Sequence, residues 1–168
     1  MLRGEGRIPL APHTRCQDVR EERPGAPFWQ LVDFADDVPD ELRASLEAGL
    51  EAGGILDAWV LPKGDLIDPH THDVVLAARH PGVSASLREW LKPTIPPTAS
   101  TAGLDEETLW SLLSAIECAN TDTGQAEMWI SPSGEFRVGA LRGAWNKPKE
   151  EYIGHSARES AKRARRMR

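Results

Sequence analysis

The sequence predicts an α+β domain: a small mixed or antiparallel sheet, two to three packed helices, and a basic helix at the C-terminus. Three observations carry this. Leucines recur at helical spacing in two separate stretches, Leu42/Leu46/Leu50 and Leu109/Leu112/Leu113 with Ile116. Met128-Trp-Ile130 and Phe136-Arg-Val138 flank Ser131-Pro-Ser-Gly134, the pattern of a hairpin. Helical and extended segments alternate irregularly, unlike the regular succession of a parallel α/β sheet. The chain has 168 residues, one ordinary domain's worth, whereas a (β/α)₈ barrel needs roughly 250.

Taken in order, residues 1–27 hold four prolines and scattered Arg and Glu with little periodicity, and read as an extended lead-in. Residues 28–146 read as the globular body. Phe28 to Phe34 is aromatic and β-branched, a strand. Asp36 or Asp37 can then cap a helix with Pro39 in its first turn and Gly53-Gly54 at its end. Ile55 to Leu61 is a second strand, ended by Pro62 and a Lys63-Gly64-Asp65 turn, and Val74 to Leu76 a short third one. Ser84 to Leu91 can form a short helix, which the prolines at 93, 96 and 97 stop; residues 92–103 read as a linker. Asp105 caps the second clear helix. Gly139 to Trp145 extends the hairpin or returns to the sheet. Pro148 opens a last helix over 149–168, in which Ile153, Ala157, Ala161, Ala164 and Met167 recur at steps of three and four, the start of a coiled-coil arm.

Charge divides the chain. Residues 147–168 carry eight Lys/Arg against three Glu, a net +5; the whole chain is −6, which leaves −11 for residues 1–146. An acidic body does not follow a phosphate backbone, so any nucleic-acid contact falls to the tail: Arg158, Lys162, Arg163, Arg165, Arg166 and Arg168. Cys16 and Cys118 stand far apart and give neither a disulfide framework nor a zinc knuckle. No stretch reaches the ~18 apolar residues of a membrane span, and nothing at the N-terminus reads as a signal peptide, so a cytoplasmic protein without membrane contact is expected.

One stretch invites an enzymatic reading. Leu66-Ile-Asp-Pro-His-Thr-His-Asp73 looks like the first metal-binding strand of a cyclic amidohydrolase, with Asp68, His70 and His72 as ligands. A catalytic zinc needs three protein ligands and an open position. The only later histidines are His80, too near in sequence to come from a distant strand, and His155, in the basic segment. Pro69 removes a backbone donor and favours a turn. The expectation is therefore a solvated loop with surface histidines. There is no phosphate-binding glycine loop and no Gly-x-Ser-x-Gly. No catalytic residue, metal or cofactor is expected, and the carboxylates of residues 33–57 read as a solvated helix face.

Three longer strings carry a resemblance. Pro24 to Phe34, Leu46 to Val60, and Phe136-Arg-Val-Gly-Ala-Leu-Arg-Gly-Ala-Trp-Asn-Lys-Pro148 are similar to a segment of the large SMC-like ATPases of the MukB/JetC type, from Wadjet-like, condensin-like plasmid-defence systems. In that family a globular segment interrupts the long coiled coil, and Glu-Tyr-Ile-Gly, here Glu151 to Gly154, leads into the returning arm. The resemblance runs from about Pro24 to the C-terminus. It implies a hinge-region piece whose Walker motifs lie in head domains not found here, a fragment that pairs with itself or with the rest of a split protein. The hairpin residues Trp129, Ile130, Phe136, Val138 and Trp145 are the expected pairing surface, and weak, salt-sensitive DNA contact through the tail is a further expectation. A small metal-dependent hydrolase and a nucleic-acid-binding adaptor are the alternatives.

Overall fold

The structure, a computed structural model, describes residues 8–16, 18–62, 67–77, 81–101 and 103–154. It is α+β, with three helices and three small sheets among the described residues, where the sequence predicts one sheet. Phe28 to Phe34 is not a continuous strand. Strand β1 is Ala26–Pro27, a 3₁₀ turn follows at Phe28–Gln30, and β2 is Val32–Phe34. The turn buries Phe28 and Trp29, which a straight strand would have sent to opposite faces.

Helix α1 spans Asp40–Ala52. Asp36 and Asp37 do not cap it: Pro39 holds the cap position, with no side-chain cap, and Asp40 and Glu41 meet the positive end of the helix dipole. Asp36 instead pairs with Lys92 at 2.9 Å. Gly53 and Gly54 do end the helix, Gly54 in the left-handed region at φ +82°. Leu46 and Leu50 are fully buried.

The expected strand at 55–61 shrinks to β3, Trp59–Val60, which pairs antiparallel to β1 and parallel to β4, Val75–Leu76. Ser84 to Leu91 forms no α-helix. Ser86 accepts from the Arg88 N–H and caps a 3₁₀ turn at Leu87–Glu89, and the chain then enters β5, Leu91–Pro93, antiparallel to β2. The stretch read as a linker thus holds the end of a strand and a five-residue helix, α2, Pro97–Thr101. Pro93 is tolerated because β5 has one sheet neighbour, β2, among the described residues and so is an edge strand there.

Asp105 caps α3, Glu106–Ala115, accepting from the Thr108 N–H at 2.9 Å. Ile116, expected on the helix, begins β6, Ile116–Cys118. This strand runs parallel to β7, Met128–Ile130, which forms the expected hairpin with β8, Glu135–Val138; β9, Leu141–Ala144, extends it. Residues 148–154 are not helical, and Gly154 has φ +87°. The rest of the expected basic helix, 155–168, lies outside the described residues.

One apolar cluster joins the three sheets. It includes Phe28, Leu31, Leu46, Leu50, Leu87, Leu91, Leu112, Leu113, Ile116, Ile130, Tyr152 and Ile153. Core packing therefore reaches past residue 146. Helix α1 lies close against the β7–β8 turn: an added Cβ at Gly49 would meet the Gly134 backbone at 3.2 Å, and Ser45 Oγ donates to the Pro132 carbonyl at 2.5 Å.

Candidate functional site

The four-stranded sheet has two edges. Along β6, the chain before the 3₁₀ turn closes one of them: the Cys118 N–H donates to the Ala85 carbonyl at 3.0 Å, and Ser86 bridges Glu117. The other edge is β9, which has no strand beyond it among the described residues. All four of its residues are exposed, Leu141 at 71%. Trp145 follows at 47% exposure, its N–H donating to the Gly134 carbonyl at 3.0 Å. An edge strand presents unpaired backbone donors and acceptors, a template for another strand.

Of the residues expected to form a pairing surface, only Trp145 is exposed. Trp129 and Ile130 are buried core, at 4% and 0% exposure. Phe136 and Val138 are half-buried against the same core. Ile130, Phe136 and Val138 share the hairpin face that packs on the core, while Trp129, on the other face opposite Arg137, is buried with its Nε1 donating to the Ala119 carbonyl at 2.9 Å. Leu141 was missed in the sequence because one leucine in a glycine-flanked strand carries no periodic signal.

Beneath this edge the chain is locked to α1. Glu47, fully buried, lies 2.5 Å from Lys147 Nζ and accepts from three successive backbone N–H groups, Glu151 at 2.7 Å, Tyr152 at 3.0 Å and Ile153 at 2.7 Å. Lys147 also pairs with Glu51 at 2.7 Å and sits 4.8 Å from the centre of the Tyr152 ring. Burial disfavours the ammonium, but Glu47 and Glu51 outweigh it and hold the Lys147 pKa above its ordinary value. The Glu47 carboxylate fills a nest of backbone donors and ties residues 151–153 to α1.

The lead-in is fixed too. Arg20 Nε and Nη2 donate to the Asp73 carboxylate at 2.7 and 2.9 Å, and Arg23 Nη2 to the Thr71 carbonyl at 2.8 Å. Arg15 and Arg20 both pair with Asp57, and Arg20 lies 4.9 Å from the centre of the Trp59 ring. Burial would raise the Asp73 pKa, but the hydrogen bonds from Arg20 and Val74 and the nearby Arg15 bring it below the usual carboxylate range. A cavity of about 720 Å³ opens beside this cluster, with Arg15, Arg20, Asp57, Asp73, His72 and Tyr152 in its wall.

The histidine loop lies at the rim. His70 and His72 are exposed, as expected of a solvated loop. Asp68 is spent on the turn, accepting from the His70 N–H at 2.7 Å while its own N–H donates to Thr71 Oγ1 at 2.9 Å. The two imidazoles stand edge to face, 6.3 Å apart. Among the described residues no three His, Cys, Asp or Glu side chains converge as metal ligands, so Asp68, His70 and His72 do not form the set that their spacing suggested. Instead, His72 meets a residue from the lead-in: its Nδ1 is 2.9 Å from Cys16 Sγ.

Comparison with known proteins adds no neighbour. No protein-family model, no curated protein and no solved structure matches this chain. No described helix is long and apolar enough to cross a membrane. The expected DNA-contact residues Arg158, Lys162, Arg163, Arg165, Arg166 and Arg168, and also His80 and His155, lie outside the described residues.

Proposed function

We propose that this chain is a non-catalytic, hinge-like module of an SMC-type DNA-organising or plasmid-defence protein, acting in the cytoplasm by pairing with a second copy of itself or with the remainder of a split protein. The supporting observation is the open β9 edge: four exposed residues beginning with Leu141 and followed by exposed Trp145, while the opposite edge of the same sheet is closed. An isologous contact through two such edges joins the sheets of two copies antiparallel across a two-fold axis. The Glu47–Lys147 clamp suits the same role, because it ties residues 147–153, which follow that edge in sequence, to α1. The basic segment then supplies weak contact with DNA.

Sedimentation velocity of the full chain over a hundredfold concentration range tests this. The expected result is a reversible dimer that Leu141→Lys converts to monomer, while Leu10→Lys, at an exposed position far from β9 in sequence, leaves it intact. A wild-type chain that stays monomeric throughout, alone and mixed with the remainder of a split partner, overturns the reading.

A further inference from the structure

Cys16 and Cys118 stand in opposite settings. Cys118 is buried, and that burial, with the carboxylates of Glu89 and Glu117, drives its thiol pKa far upward, so it is inert. Cys16 is exposed and faces His72 Nδ1 at 2.9 Å, the separation at which an imidazole takes a proton from a nucleophile. The pair is assembled across 56 residues of sequence, with the lead-in giving the sulfur and the histidine loop the base. Both sides are held. Arg15, next to Cys16, pairs with Asp57, and Asp73, next to His72, binds Arg20. His72 has φ +47°, a left-handed conformation that few side chains adopt without cost and that sets its ring against the sulfur.

There is room for a second reactant. His72 lines the cavity of about 720 Å³, and Cys16 a recess of about 330 Å³; Arg15 and Arg20 wall both. Leu10, Ile67 and Val74, at the larger cavity's edge, are exposed at 94%, 66% and 58%, an apolar rim beside a polar floor. The smaller recess, which Cys16 itself lines, is space for a small organic group carried on sulfur, next to the atom that would bear it.

We propose that Cys16 and His72 form a thiol-modification site, at which Cys16 exchanges with a low-molecular-weight disulfide. The Cys16 sulfur attacks one sulfur of that disulfide as His72 Nδ1 takes the thiol proton. The new S–S bond forms as the old one breaks, and His72 returns the proton to the leaving thiolate, which departs as a free thiol. Nothing is oxidised overall beyond the exchange: one disulfide is consumed and one mixed disulfide is made. The site is independent of the pairing edge, since none of its residues lies in β9.

Oxidised glutathione is the probe, added to the full reduced chain, with the adduct located by peptide mass mapping. Cys16 is expected to be modified and Cys118 spared. At neutral pH His72→Asn, a residue that tolerates the left-handed region, is expected to slow the adduct by about a hundredfold, the lower end of a general base's usual effect. His72→Gly, which the same backbone suits, is expected to regain rate with added imidazole. Equal neutral-pH rates in wild type and His72→Asn, or an adduct at Cys118 in the folded chain, would overturn the proposal. Melting curves of both variants matching wild type would place the effect in proton transfer, and a slowing that imidazole does not relieve would place it in packing and sink the base role.

Discussion

Glu47 sits among carboxylates whose spacing suggests a solvated helix face, yet it is fully buried. A buried carboxylate persists only when its charge is met, and here Lys147 and three backbone N–H groups meet it. Those partners lie about a hundred residues away, so no local pattern in the sequence marks Glu47 apart from Glu41 or Glu51. Removing the charge while keeping the shape, Glu47→Gln, leaves Lys147 to Glu51 and Glu151 and turns a three-way acceptor into an amide whose NH₂ faces donors. The expected loss is about 3 kcal/mol or more of unfolding free energy, read by urea denaturation. Because the Lys147 pKa is raised, its contribution is complete below the ordinary lysine value and fades only as pH rises through the folded value. The clamp therefore stays shut through the neutral range. Gly134 is a second residue with a single tolerated identity. Its φ is +101°, and an added Cβ would lie 2.2 Å from the Trp145 carbonyl oxygen. Gly134→Ala is expected to cost roughly 1–3 kcal/mol and to loosen β9, seen as faster amide exchange over Leu141–Ala144.

Elements whose signal is local were legible, and those built by distant partners were not. Helix α3 and its Asp105 cap, and the β7–β8 hairpin, came directly from periodicity and turn chemistry. Strand β6 was absorbed into α3 because Ile116 continues the helical stripe; its pairing with β7 is decided across the 119–127 loop, held by Thr123 on buried Glu117 and by Arg137 on Asp122. Strand β5 was hidden by Pro93 and exists because β2 offers it a partner. The lead-in gives the clearest case. Its arginines look scattered in sequence, but Arg15, Arg20 and Arg23 converge on Asp57, Asp73 and the Thr71 carbonyl. Ion pairing over 37 to 58 residues leaves no trace in composition. The docking carries a pH signature. Asp73 has a lowered pKa in the fold, so its contribution is present above the ordinary carboxylate value and is lost as pH falls through the folded one. Asp73→Asn is expected to lower the melting temperature at pH 7, with the gap from wild type closing as pH drops below about 4, the ordinary carboxylate value. A gap that stays constant down to strong acid would show that the Asp73 charge does not hold the lead-in.

At the scale of the whole molecule, one core takes in residues beyond the change of charge near residue 147. Tyr152 and Ile153 belong to the apolar cluster at 6% and 0% exposure, and their N–H groups hold Glu47. The charge change near residue 147 suggested a boundary there, because composition reports what a segment is made of and not what it packs against. Two truncations separate the possibilities. Ending the chain after Pro148 removes a fully buried isoleucine and strips a buried carboxylate of its backbone donors, together about 5 kcal/mol by burial and unpaired-charge costs. That equals the whole stability of a marginal domain, ~5–15 kcal/mol. Ending it after Gly154 removes neither. The first truncation is expected to unfold or melt far below the full chain, and the second to melt with it, by circular dichroism. The second also isolates the tail's charge. It removes Arg158 and the basic residues after it while the acidic body stays folded, so weak DNA retention by the full chain at low salt should vanish in the truncated one, and the dimer expected from the β9 edge should remain. Loss of both together would mean that pairing depends on the segment after Gly154, and the open edge would then no longer account for it.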